Sequence, residues 1–111
     1  MTETPSHAMI MNEDGTPRGV ADISRIQSDA TILMYQYAAA AGNDEAVDAV
    51  AEEWVNRLDP DAMGYTSAAA LSLLTRNVLA PMLDLFDQLL PDLDFRATLA
   101  KCRDDTIEAL R

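Results

Sequence analysis

From residue 22 onward the apolar positions recur with a helical period. Ile23, Ile26, Ala30, Leu33, Tyr37 and Ala40 follow at intervals of three and four residues, which places them on one face of a helix over about 22–41. Asp22 or Ser24 is placed to cap its start, and Gly42 supplies the left-handed residue that ends it. A second stripe, Val47, Val50, Ala51, Trp54 and Leu58, predicts a helix over about 44–58 with Asn43 or Asp44 as its cap. Pro60 disfavours helical geometry at Asp59 and stops it. The short Gly42-Asn43 junction makes these two helices an antiparallel hairpin.

A third helix is expected over about 67–90, with Asp61 or Thr66 as its cap, although Pro81 lies inside it. A mid-helix proline costs about 3 kcal/mol and clashes with the carbonyl four residues back, here that of Asn77. At about 100° per residue, Leu71, Leu74 and Val78 before the proline share a face with Met82, Leu85 and Leu89 after it. That continuity of phase predicts one kinked helix rather than two. Leu79, Leu83, Phe86 and Leu90 widen the apolar arc to roughly half the circumference, so the helix is expected at the centre of the fold. Pro91 ends it. Asp92 or Asp94 then opens a last helix over about 94–110 with Phe95, Leu99, Cys102, Thr106 and Leu110 on one stripe.

Residues 1–21 have a different character. Turn formers concentrate between Glu13 and Gly19, and Asp14-Gly15 is a two-residue hairpin signal between the flanks His7–Met11 and Val20–Ile23. The segment is either an irregular arm laid on the body or a short hairpin. The fold class predicted is all-α: a small four-helix bundle-like single domain over 22–111, with a Pro-kinked third helix and an N-terminal arm.

Composition narrows the function more by exclusion than by indication. The 111 residues suit one domain, and eight Lys+Arg against nineteen Asp+Glu leave a net charge of −11. An acidic surface repels nucleic-acid backbones and anionic membranes, so neither is expected as a direct partner. No cationic, apolar N-terminal leader is visible, and no uninterrupted run of 18 apolar residues occurs. With a single free cysteine, this suits a reducing cytoplasm.

One Cys (Cys102) and one His (His7) remove most catalytic and metal chemistry. Asp59, Asp61 and Gly64 match three positions of a calcium loop, but its fifth and twelfth positions are Met63 and Ala70, which bring no side-chain oxygen. The Glu-x-x-His pairs of a dinuclear carboxylate bundle are absent. Cys102 falls on the apolar stripe of the last helix and reads as a core residue; Lys101 and Arg103 beside it point elsewhere. His7 reads as a surface residue of the arm, and Ser6, Ser24, Ser28, Ser67 and Ser72 mostly as residues of helix starts. The four glycines are scattered singly and make no phosphate cradle. The chain is expected not to be an enzyme and to need no cofactor or metal.

Two surface features remain. Residues 43–61 hold seven acids and one arginine, with Asp44, Glu45, Asp48 and Glu52 grouped opposite Trp54. Carboxylates four residues apart on a helix lie about 6 Å from one another, close to phosphate spacing. The ordinary role of such a face is solubility; the sharper one is recognition of a basic protein. On the first helix, Ile32, Tyr35 and Ala39 lie opposite the core stripe, separated from it on one side by Arg25, Asp29 and Gln36. A helix apolar on two faces is covered by its own chain, here through Met9, Ile10 and Met11 of the arm, or by another. The function expected is a small acidic cytoplasmic protein–protein interaction module, a homodimer or the subunit of an assembly, burying the Ile32/Tyr35 strip. Two alternatives stand beside it. One is an acidic decoy or inhibitor of a basic nucleic-acid-binding protein; the other is a small-ligand binder or enzyme with an interhelical pocket near Trp54, Tyr65 or Met82.

Overall fold

The computed structural model describes the backbone of His7–Met11 and Pro17–Asp22 and, in full, residues 23–111. The chain is all-α in class. Helix α1 spans Ile23–Ala40, α2 Asp44–Arg57 and α3 Pro60–Leu74; a π-helical turn, Thr75–Leu79, leads into α4 (Ala80–Leu89), and α5 covers Phe95–Ala109. Ahead of α1, strands β1 (His7–Met11) and β2 (Pro17–Asp22) pair antiparallel, His7 opposite Asp22, with a register shift between Ile10 and Met11. Pro17 is the first residue of β2, a position that tolerates a missing N–H. The Asp14-Gly15 turn and Ser6, together with the side chains of His7, Met9, Ile10, Met11 and Asp22, lie outside the described residues.

The chain divides into two compact units, Met1–Leu74 and Thr75–Arg111, where the sequence predicts a single helical domain over 22–111. In the first, α1 is the organising element and packs on α3 and α2. Its buried residues are Ala30, Leu33, Met34 and Ala40; α2 adds Trp54, and α3 adds Thr66 and Ala70. The predicted stripes of α1 and α2 agree with this burial, with Met34 added to them. Trp54 is fully buried, and its Nε1–H donates to Gln36 Oε1 at 2.6 Å, tying α2 to α1. An indole buries 150–250 Å², worth about 4–6 kcal/mol at roughly 25 cal/mol per Å². Arg57 lies 4.7 Å over the same ring.

The caps explain the helix boundaries. Asn43 Oδ1 accepts from the Ala46 N–H, and Asp44 and Glu45 follow in the first turn, where carboxylates favour the positive end of the helix dipole. Gly42 turns the corner at φ +90°, the left-handed conformation that L-residues disfavour. The third helix begins seven residues before its predicted start, at Pro60 rather than residue 67. Asp59, not Asp61 or Thr66, is its cap, accepting from the Ala62 N–H at 2.9 Å. Pro60 therefore both stops α2 and opens α3, because a proline at the first helical position lacks only an N–H that would have no partner there. Ser67 and Ser72 consequently lie within α3 and not at its start. Ser28 likewise lies within α1, donating to the Ser24 carbonyl.

Pro81 disturbs the helix as expected, and the disturbance takes the form of the π turn Thr75–Leu79 immediately before α4. Widening the ladder relieves the contact between the proline ring and the preceding turn. The predicted central position of this helix is not observed. Leu71, Met82, Leu85 and Leu89 are half to two-thirds exposed, and α3 buries only Thr66 and Ala70. Small residues make the buried contact of α3 with α1, while Leu71 and Leu74 border an open cleft beside it.

In the second unit α4 and α5 form a helical hairpin through Leu90–Asp94. Asp94 caps α5 by accepting from the Ala97 N–H. Phe86 and Phe95 meet with ring centroids 5.0 Å apart, and Arg96 bridges Asp84 (2.6 Å) and Asp87 (3.2 Å). Cys102, expected in the core, is exposed, because the stripe it shares with Leu99, Thr106 and Leu110 has no facing element within this unit.

Gly42→Ala is expected to destabilise the chain by about 1–3 kcal/mol, the cost of holding an L-residue in that conformation. Gly64→Ala is expected to stabilise it by about 0.5–1 kcal/mol, since Gly64 is inside α3 and a Cβ there meets nothing within 4 Å. Gln36→Leu, which leaves the buried indole N–H without its acceptor, is expected to cost about 1–3 kcal/mol. Urea unfolding followed by Trp54 emission checks all three.

Candidate interaction surfaces

The strip on α1 is laid bare by the way α1 packs. Leu33 and Met34 face inward, and Ile32 and Tyr35 remain 47% and 62% exposed, with Ala39 exposed beside them. Gln36 lies at the boundary and is more than a divider of faces, since it supplies the acceptor for Trp54. Sequence reasoning missed that role, although a tryptophan on a core face signals the need for an acceptor on a neighbouring helix. Asp29, on the other boundary, stands 4.0 Å from Arg25 across one helical turn.

Asp44, Glu45, Asp48 and Glu52 are all exposed on α2, and among the described residues none is ion-paired. The arginine of this stretch, Arg57, lies over the Trp54 ring. The acids therefore form an open negative face on the same hairpin that carries the apolar strip.

An apolar cleft of about 450 Å³ opens within the first unit, lined by Leu33, Met34 and Tyr37 of α1, Val47 of α2, and Ala70, Leu71 and Leu74 of α3. None of Trp54, Tyr65 or Met82, around which a pocket was expected, lines it. Trp54 is instead sealed in the core, and Tyr65 and Met82 are about half exposed. The polar contribution to the lining comes from Tyr37 and Ser67. One polar group of this unit stands apart: among the described residues the buried Thr66 Oγ1 has no hydrogen-bond partner.

The Asp87 hydrogen bond, then the charges of Asp87 and Asp84, push the Arg96 guanidinium further above its already high range, so it stays a fixed cation. Among the described residues no group of three or more His, Cys, Asp or Glu side chains comes together as a metal site. The helical run Pro60–Leu89 is long and apolar enough to cross a membrane by length and composition, an 18-residue window within it having a mean hydropathy of 1.2, which the lack of an uninterrupted apolar run did not suggest. Comparison with protein-family models, curated proteins and solved structures finds no match for this chain.

Thr66→Val keeps the branched shape and removes the unpartnered hydroxyl, so it is expected to stabilise the fold by about 1 kcal/mol. A higher denaturation midpoint at unchanged m-value is the expected result; a lower midpoint would mean that the hydroxyl has a partner in solution.

Proposed function

We propose that this chain is a small protein–protein interaction module that recognises its partner, or a second copy of itself, through the α1 strip Ile32, Tyr35 and Ala39. The observation that carries this reading is that α1 is apolar on two opposite faces, one buried by α2 and α3 and the other exposed. A tyrosine flanked by aliphatic side chains is a suitable anchor, because it brings a large contact area and a polar tip at small entropic cost. The acidic face of α2 adds orientation and speed of encounter with a positively charged partner rather than most of the affinity. The module needs no catalytic group and works where it meets its partner; a cytoplasmic setting suits its free thiol.

A second reading, a binder of small apolar ligands, draws support from the cleft between α1, α2 and α3. Its volume falls within the range of small-molecule sites, and its apolar walls with two hydroxyl-bearing residues would suit an uncharged, largely hydrocarbon ligand.

The test is a pull-down with tagged wild type beside Ile32→Asp/Tyr35→Asp. Both positions are exposed, so the double variant is expected to keep its unfolding midpoint and to lose at least ten-fold in capture of the partner. Retention of an apolar partner in high salt supports the strip, whereas capture lost in salt and abolished by Asp48→Lys/Glu52→Lys assigns recognition to the acidic face. Identical captures by wild type and by the strip variant, together with a melting temperature raised by apolar compounds, would replace the module by the ligand binder.

A further inference from the structure

The second unit, taken by itself, is a hairpin without a core. No residue from Thr75 to Arg111 is buried, and Val78, Ala80, Leu83, Phe95 and Ala100 are the ones that reach half-burial. Helix α4 has 10 residues and α5 has 15, lengths at which an isolated helix is marginal in water. Ordering each residue costs about 1–2 kcal/mol of backbone entropy, and against that cost this pair sets five half-buried residues, one ring contact and the Arg96 bridges. Such bridges, at the surface, contribute little. Yet ten large apolar side chains of this unit are more than a third exposed, among them Met82, Leu85 and Leu89 on α4, Leu99 and Ile107 on α5, and Leu110 at its C-cap.

We infer that the α4/α5 hairpin is a self-association element: two copies of this chain join their hairpins, related by a two-fold axis, into an intermolecular four-helix bundle. This surface is separate from the α1 strip and does not depend on that strip's function. Three observations select a second copy as the occupant. The first is area. Ten side chains of Leu, Ile, Met and Phe, about half exposed, offer together on the order of 800 Å² as an upper bound, comparable to what each partner of a stable standard interface buries. The second is charge. The unit holds five basic and seven acidic residues, whereas the rest of the chain carries most of the −11, so two such hairpins meet with little repulsion. The third is that Arg96, Lys101, Arg103 and Arg111 are each already paired with a carboxylate of their own unit. They leave no basic patch for an anionic bilayer and no strong field for a highly charged protein. The apolar stripes suit such a bundle. Met82, Leu85 and Leu89 line one side of α4, and Leu99, Cys102, Thr106 and Leu110 continue the side of α5 on which Phe95 lies. An isologous arrangement supplies each stripe with the missing facing element and closes after two copies.

The test is sedimentation equilibrium of the full chain from about 1 to about 300 μM, the range in which a micromolar dimer dissociates. Wild type is expected as a dimer at the upper end. Leu85→Asp/Leu89→Asp is expected to be monomeric throughout, and Ile32→Asp/Tyr35→Asp to remain dimeric. Trp54, the single tryptophan, lies in the first unit, so native emission in the α4 variant shows that the unit has not unfolded. Should that emission change, Leu85→Ala/Leu89→Ala is measured instead, with at least a ten-fold weaker dimer expected. Labelling of Cys102 by a thiol reagent is expected to slow as the dimer fills. A monomeric wild type at every concentration overturns the inference. So does a dimer abolished by the α1 variant alone, or co-flotation of the wild type with phosphatidylcholine vesicles.

Discussion

The hydrogen bond from Trp54 Nε1 to Gln36 Oε1 holds the first unit in register. A fully buried indole contributes more apolar area than any other residue of this small core, but its N–H must find an acceptor or the burial becomes costly. Gln36 supplies that acceptor from the margin of α1, which fixes both the rotation of α1 and the height at which α2 meets it. Once α1 is so turned, Ala30, Leu33, Met34 and Ala40 point inward and Ile32 and Tyr35 point outward. The candidate interaction strip is thus a consequence of where one tryptophan finds its hydrogen-bond partner.

A shortage of buried residues shapes everything else. The core of the first unit is assembled from one tryptophan, two medium apolar side chains and small residues, so α1 and α3 meet through alanines and a threonine while larger side chains stay outside. The leucine-rich half of the chain lies beyond that contact. There the π turn before Pro81 keeps the helical run continuous, and α4 and α5 carry apolar stripes that their own unit leaves exposed. Association is the physical route by which such surface leaves water.

The two kinds of surface differ in chemistry. On α2, Asp44, Glu45, Asp48 and Glu52 have no ion-pair partner among the described residues and the field is strongly negative, whereas the acids and bases of the α4/α5 hairpin largely neutralise one another. On the reading proposed above, the charged face would steer an unlike partner and the near-neutral apolar face would meet a second copy.

By itself the sequence determined the local structure. The three-four spacing of apolar residues specified the helices, and Gly42 with the pairs Asn43 or Asp44 and Asp92 or Asp94 marked their ends, of which the structure uses Asn43 and Asp94, because caps and left-handed turns are set by residues within a few positions of one another. It also placed Ile32, Tyr35 and Ala39 on the side of α1 away from the core. Local rules read Pro60 only as the stop of α2, and the Asp59 cap made it the first residue of α3 as well. Tertiary structure alone decided which apolar stripes became core. Periodicity says that Leu71, Leu85 and Cys102 lie on apolar faces, but burial requires a facing element at the right distance. Here α1 presented that element to Thr66 and Ala70 instead, and the α4/α5 hairpin, taken alone, offers none to Leu85 or Cys102. The cleft between α1, α2 and α3 was invisible for the same reason, since it is space left over beside the contact that α3 makes through Thr66 and Ala70.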